Sequence, residues 1–152
     1  MVAAPTRWPA GSTLCHLGIV AEELSEYAHA RALYRESLTP ALALGFRGLL
    51  VFILEALVSL AAQGGDAPEH RMANALRLAA TSAAEREQLG FPRTAYLQRR
   101  FERAVRLAQA ALGAEAATVA WTEGRAMSLE EAVAYALAPP SDAASDARDA
   151  EP

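Results

Sequence analysis

Glu26 and His29 are the residues of this chain whose types and spacing best fit metal chemistry. Residues three apart share one face of a helix, and helical di-iron proteins use this Glu-x-x-His spacing to present two ligands together. Such a site needs a second copy of the motif, which His16 and His70 do not provide. A carboxylate at a helix start also interacts favourably with the helix dipole. The sequence favours this structural role, with a small helical metal protein or enzyme using Glu26, His29 and His16 as the alternative.

Arginines recur along a later helical segment that carries an apolar stripe on its opposite side. They are Arg93, Arg99, Arg100, Arg103 and Arg106. Such a face can bind phosphate, RNA or an acidic partner. It can also be a solvated face partly neutralised by Glu102, and no aromatic residues are interleaved as base stacking would require. We favour the solvated face and keep Arg99, Arg103 and Arg106 as candidate partner contacts.

Glu55 is the one charged residue in the most apolar run of the chain, Leu49 to Ala62. The run is shorter than the ~20 residues that a membrane span requires, so it predicts a buried helix. Glu55 then points out of the helical stack, pairs with an arginine such as Arg31 or Arg47, or lines a groove that binds a ligand. Together with His16 it completes the set of candidate partner contacts.

Composition excludes several functions. All 14 positive residues are arginine, so neither a P-loop nor a pyridoxal Schiff base can form, and no cofactor is expected. The single Cys15 excludes an internal disulfide and is typical of a small buried side chain. A net charge of −4 gives no general attraction to nucleic acid or to a membrane surface. Without an apolar h-region near Met1, the chain is expected in the cytoplasm.

Helical periodicity recurs between turn signals, and no segment alternates as a strand does, so the sequence predicts an all-α fold. Seven helices are expected. They run from Thr13 to the Ser25–Glu26 break, from Tyr27 or Ala28 to about Gly45 with a kink or early stop at Pro40, from Arg47 to Gln63, from Pro68 to Leu89, from about Arg93 to Leu112, from Ala114 to about Glu123, and from Leu129 to Leu137. Residues 1–12 are expected as an irregular lead-in, and residues 138–152 as a disordered acidic tail.

The first helix pair fits a tetratricopeptide-like unit that begins at Gly11. Leu14, Leu17 and Gly18 stand where that pattern has W-x2-L-G, and Ala30 and Tyr34 stand where it has A-x3-F. The small residues allow close approach of two helices, and the large ones fill the space beside them. A second, looser pair covers residues 47–89. Residues 13–137 are therefore predicted to form antiparallel pairs stacked as a tetratricopeptide-like right-handed array.

The stretch ATVAWTEGRAMSLEEAVAYAL, residues 117–137, closes this array. Trp121 is expected in the core, Gly124 is expected to end one helix in a left-handed turn, and Ser128 with Glu131 has capping-box spacing. Residues 101–137 resemble the C-terminal tetratricopeptide-like region of bacterial ATPase-coupled, LuxR-type transcriptional regulators.

That resemblance implies the sensor or scaffold part of a signalling regulator. The expected function is non-catalytic, with a protein partner or small ligand bound on the concave face. No direct contact with nucleic acid and no membrane association are expected. Self-association is the other possibility, because a short stack leaves one apolar end uncovered.

Overall fold

The computed structural model describes residues 10–63 and 68–138, and this part of the chain is all-α, with no strand. The seven helices of these residues are α1 (Ala10–Glu23), α2 (Tyr27–Ala43), α3 (Arg47–Gln63), α4 (Glu69–Leu89), α5 (Ala95–Leu112), α6 (Ala114–Ala126) and α7 (Leu129–Leu137). The expected acidic tail lies outside the described residues except for Ala138. Within the described ranges, no helix is both long and apolar enough to cross a membrane.

Local sequence signals explain three of the helix ends. Gly90 has φ +62°, the left-handed conformation that glycine adopts without a Cβ clash, and its N–H donates to the Arg86 carbonyl. This arrangement ends α4. The Thr94 hydroxyl accepts from the Leu97 N–H and so begins α5 two residues later than predicted. Ser128 and Glu131 form the predicted capping box at the start of α7.

One predicted boundary in the first helix pair was wrong. Helix α1 begins at Ala10 rather than Thr13, so residues 10–12 belong to the helix and not to the lead-in. A Cβ on Gly11 would lie 3.0 Å from the Ser37 carbonyl oxygen, which shows how closely α2 packs against this first turn. Of the two outcomes predicted for Pro40, a kink or an early stop, the early stop does not occur, since α2 continues to Ala43. Proline removes only one hydrogen bond there, close to the helix end.

The predicted stop at Gly124 was also wrong, because α6 continues through it to Ala126. A Cβ at Gly124 would lie 2.2 Å from the Arg77 carbonyl oxygen of α4. The Thr81 hydroxyl donates to the Gly124 carbonyl at 2.6 Å. This glycine is therefore needed for the close contact of two helices and not for a turn.

The relative directions of neighbouring helices follow from the residues that meet between them. Within α1 and α2, Gly11 lies by Ala41 and Gly18 by Tyr34, so the two helices are antiparallel. Helix α4 runs parallel to α6, since Arg77 bonds Glu123 and Glu87 bonds Arg125 further along both helices. Helix α3 supplies more buried core residues than any other helix of the described residues, and α4 contacts α3, α5, α6 and α7.

The last helix covers a different part of the stack from α6. Leu129, Ala132 and Val133 of α7 are buried, and α7 contacts α2, α3 and α4. Trp121 of α6 is only half-buried and packs between two apolar clusters of the core. The junction of α2, α3, α4 and α7 creates the cleft described below.

Candidate functional site

Glu55 is buried in an ion-paired group with Arg86 and Arg93. Arg86 donates to its carboxylate through Nε at 2.8 Å and Nη2 at 2.9 Å, and Arg93 donates through Nε at 2.9 Å. The Arg93 Nη2 atom is 2.7 Å from Glu55 Oε1 but lacks hydrogen-bond alignment with it. The Arg93 guanidinium also stacks on the Phe101 ring, 3.6 Å from its centroid.

This group corrects the predicted partners of Glu55, because neither Arg31 nor Arg47 contacts it. Arg47 instead pairs with Glu85 and Glu130. Glu55 has an exposed fraction of only 7%, so its carboxylate is enclosed by the two arginines that neutralise it. The group ties α3, α4 and the start of α5 together and offers no open position to a partner.

The candidate metal ligands Glu26, His29 and His16 do not come together in one place. His29 Nδ1 is 3.3 Å from a Glu26 carboxylate oxygen, and both side chains are more than half exposed. His16 is exposed on α1, with Nδ1 2.6 Å from the Ser12 carbonyl oxygen of its own helix. Across residues 10–63 and 68–138, no group of three or more His, Cys, Asp or Glu side chains could hold a metal ion.

The arginines of α5 divide into two kinds. Arg99, Arg103 and Arg106 are exposed, which both the solvated-face and the partner-contact interpretations require. Arg100 is half-buried and binds Glu22 of α1, which also accepts a hydrogen bond from the Tyr34 hydroxyl at 2.9 Å.

Two buried protons are strongly held in the first hairpin. Burial raises the pKa of the Cys15 thiol to about 12, so this cysteine is not a reactive thiolate. Burial also raises the pKa of the Tyr34 hydroxyl, and the neighbouring charge of Glu22 and its hydrogen bond add to that increase.

An open cleft of about 610 Å³ lies between α1, α3 and α5. Glu22, Glu23, Arg100 and Arg103 all line it, so its opposite charges largely balance. Balanced charges of this kind give no preference for one class of ligand.

A smaller cleft of about 210 Å³ lies where α2, α3, α4 and α7 meet. Three half-buried arginines line it, namely Arg31 and Arg35 of α2 and Arg71 of α4. Its other lining residues are uncharged: Leu57, Ala61, Asn74, Ala75, Leu78, Tyr135, Ala136 and Ala138. We call this site the arginine cleft, and its defining property is positive charge around an apolar floor.

The arginines are close enough to affect one another. Burial lowers the pKa of Arg31, and the positive charges of Arg71 and Arg35 lower it further. Arg35 donates through Nη2 to the carbonyl oxygens of Leu137 at 3.0 Å and Ala138 at 3.2 Å. Those carbonyls form the negative end of α7, so Arg35 is partly compensated and fixes that helix end at the cleft.

A hydrogen-bonded wall closes one side of the cleft. The Tyr135 hydroxyl donates to the Asn74 side-chain oxygen, and Arg77 Nη1 donates to both Asn74 and Tyr135 at 3.2 Å. Arg77 is itself held by Glu123 of α6 at 2.5 Å. This chain of contacts fixes Asn74 and Tyr135 in place, so the cleft has a preformed polar edge.

The arginine cleft has the chemistry of a carboxylate or phosphate receptor. A guanidinium presents its N–H donors in a planar fork that matches two oxygens of one anion, and it stays charged at any physiological pH. The apolar floor would take an aliphatic group attached to that anion. No acid-base or nucleophilic arrangement accompanies these groups among the lining residues.

Sequence reasoning missed this site, although part of its signal was present. Arg31 and Arg35 are one helical turn apart and flank the buried Ala30 and Tyr34, so both sit at the edge of the core face. Arg71 lies on another helix, and only tertiary packing brings it to them.

Comparison of the chain with protein families, with curated proteins and with solved structures found no match.

Proposed function

We propose that this chain is a non-catalytic binding module whose arginine cleft takes an acidic segment of a protein partner. One observation carries the proposal: Arg31, Arg35 and Arg71 line a single cleft in which no lining residue is acidic. Three guanidinium groups around one apolar floor favour an external anion at this position.

The floor of the cleft sets a second requirement. Leu57, Ala75 and Leu78 reach its surface, so a ligand with only charge would leave this apolar area unfilled. Aspartate or glutamate beside a small or aliphatic residue satisfies both parts of the site. Each methylene group of the ligand buried on this floor contributes about 0.8 kcal/mol to the free energy of binding.

The size of the cleft favours a peptide over a cofactor. Small-molecule sites are typically clefts of about 300–1,000 Å³ that enclose most of their ligand. At about 210 Å³ this cleft accommodates one or two side chains and leaves the rest of a partner outside. The preformed wall of Asn74 and Tyr135 supplies polar contacts for the peptide backbone.

We also propose that the module belongs to a bacterial signalling or transcription regulator in the cytoplasm. The close approach of Gly18 to Tyr34 and the complete burial of Ala30 support a tetratricopeptide-like packing of the first pair. The resemblance of residues 101–137 to the terminal region of LuxR-type regulators supports the regulatory role. In this proposal the partner is another protein of that system.

The direct test is fluorescence anisotropy with the labelled peptides ELAELE and QLAQLQ. We expect the full chain to bind the acidic peptide and not the neutral one, with an affinity that falls as NaCl is raised. The double variant Arg31→Gln and Arg71→Gln should weaken binding about tenfold or more, since each charge-assisted hydrogen bond contributes about 1.5–3 kcal/mol.

The matched control is the double variant Arg99→Gln and Arg106→Gln on α5. It removes the same charge from exposed positions, so it should leave ELAELE binding nearly unchanged. Equal losses in both double variants would show that net charge, and not the cleft, controls binding. Equal binding of QLAQLQ would overturn the proposed acidic ligand. Circular dichroism of each variant confirms that the helices remain folded.

A further inference from the structure

Helix α1 has a second apolar side besides the one that packs on α2. Leu17, Val20 and Leu24 have exposed fractions of 50%, 54% and 65%. The Leu24 N–H donates to the Val20 carbonyl at 3.1 Å, so the helical spacing continues one residue past the end of α1. Residues three and four apart share one side of a helix. These three side chains therefore form one exposed row, which we call the α1 stripe.

The α1 stripe lies on the outer side of the first hairpin. The principal contacts of α1 are with α2, and Ile19 lines the cleft that α1 forms with α3 and α5. Leu17 is two residues before Ile19, about 200° around the helix, so it points to the opposite side. Gly18 of α1 meets Tyr34 of α2. Leu17 and Leu33 immediately precede these two residues, and in antiparallel helices such positions point to the same side.

The distribution of charge along α1 favours one orientation of a helix packed on the stripe. The acidic residues of α1 are Glu22 and Glu23 in its last turn, and Glu26 follows them. A parallel copy of α1 would place these carboxylates against their equivalents, which repel one another. An antiparallel copy places them beside its first turn, which has no acidic residue and is the positive end of the helix dipole.

We infer that a second copy of this chain covers the α1 stripe in an antiparallel dimer with two-fold symmetry. A two-fold axis at the middle of the stripe places Leu17 opposite Val20 of the second copy, and Val20 opposite Leu17. Thr13, which is also exposed, meets Leu24 in the same way. The spacing of four, three and four residues is that of a coiled-coil seam, in which the side chains of two helices interdigitate. The stripe is therefore complementary to itself.

The size of this surface predicts a weak, reversible dimer. Helix α1 has 14 residues and is therefore ~21 Å long, and two helices side by side are ~20 Å wide. The outer side of the hairpin offers roughly 400 Å² per copy, about half of the ~800 Å² that each partner buries in a standard stable complex. We expect a dimer Kd on the order of 10–100 μM, because interfaces of this size form transient complexes.

The dimer leaves both arginine clefts uncovered. Leu33 precedes Tyr34 and Arg35 follows it, so these two side chains lie on nearly opposite sides of α2. If the proposed function holds, the dimer presents two clefts to one partner chain, which raises the avidity of binding.

The first measurement is sedimentation velocity of the full chain from about 5 μM to about 500 μM, a range that brackets the expected Kd. The wild type should change from monomer to mainly dimer. Val20→Glu places two like charges close to the two-fold axis and should raise the dimer Kd about tenfold or more. Leu17→Gln removes apolar contact without adding charge and should raise the Kd about threefold or more.

The matched control is Val119→Glu on α6, which makes the same substitution at a position of almost equal exposure, 50%. Val119 lies between Glu115 and Glu123, one turn to each side, so it is not part of an apolar stripe. This variant should leave the dimer Kd nearly unchanged. A wild type that stays monomeric at the highest concentration would overturn the inference, as would equal effects of Val20→Glu and Val119→Glu. Circular dichroism confirms that each variant is folded.

The second measurement determines the orientation of the two copies. In a Cys15→Ala background, a mixture of Leu17→Cys and Val20→Cys chains should form disulfide-linked dimers faster than either chain alone, because these positions lie opposite each other. Preferential linkage of Leu17→Cys chains to themselves would contradict the antiparallel arrangement. Neither measurement uses a peptide, so a failed dimer and a failed acidic ligand are separate results.

Discussion

Replacing Gly124 by alanine should destabilise the fold through a single methyl group. Gly124 lies inside α6, where alanine is otherwise the better helix former by about 1 kcal/mol. The added Cβ would lie 2.2 Å from the Arg77 carbonyl oxygen and 2.7 Å from the Arg77 Cα. These are backbone atoms of α4, so no side-chain rotation relieves the clash. Helix α6 would have to move by about 1 Å to restore a normal contact.

The expected cost follows from three contributions. Overpacking of this kind costs about 1–3 kcal/mol. Movement of α6 also breaks the 2.6 Å hydrogen bond from Thr81 to the Gly124 carbonyl, which contributes about 1 kcal/mol. The gain in helix propensity offsets about 1 kcal/mol of this sum. The net loss is about 1–3 kcal/mol, and for a chain of this size the Tm should fall by about 2–12 °C.

The assay is urea unfolding followed by circular dichroism, with Gly48→Ala as the matched control. Gly48 is also helical, in α3, but no atom lies within 4 Å of its would-be Cβ. That variant should be neutral or slightly more stable. Thr81→Val removes the hydrogen bond without the clash and should cost about 1 kcal/mol. If Gly124→Ala raised the midpoint as Gly48→Ala does, the packing argument would be wrong.

Three further predictions concern the core and a helix end. Glu55→Gln should lower the free energy of unfolding by about 3–5 kcal/mol, because Arg86 and Arg93 lose their counter-charge. The control Glu87→Gln removes a carboxylate from an exposed pair and should leave the urea midpoint nearly unchanged. Similar midpoints for the two variants would contradict this prediction. Burial raises the pKa of the Cys15 thiol from 9.0 to about 12. Its contribution to the free energy of unfolding is therefore complete below pH 9 and falls by about 1.4 kcal/mol per pH unit toward pH 12. Cys15→Ala should lessen that alkaline loss in unfolding measurements, and an unchanged pH profile would refute the assignment. Ser128→Ala should cost about 1 kcal/mol in thermal unfolding and Ser128→Gly only a few tenths, because alanine does not replace the cap; the reverse order would contradict the capping geometry.

The helices were readily predictable because their signals are local. The predicted bounds of α3 and α7 agree with the structure, since apolar spacing and capping residues determine them within a few positions. Gly124 was misassigned because it was taken as a signal for a turn in its own chain segment, whereas it lies where the neighbouring α4 leaves no room for a side chain.

The arginine cleft was less predictable because it exists only between helices. Sequence showed Arg31 and Arg71 as ordinary polar positions of two amphipathic helices. Their common cleft depends on α7, whose end is fixed by Arg35. Glu55 shows the intermediate case: an acid in an apolar helix predicted a partner, but which arginines reach it is decided by the packing of α4 and the start of α5.

The bond from Arg35 to the end of α7 has a consequence for biosynthesis. It joins residues 102 positions apart, so the side of the cleft that α7 forms is absent until that helix has been translated. The hairpins of α1 to α4 can fold as they emerge, because domains form from the N-terminal side during synthesis. The arginine cleft is complete only when α7 has docked. Under the proposed function, a nascent chain would bind an acidic ligand only after that step.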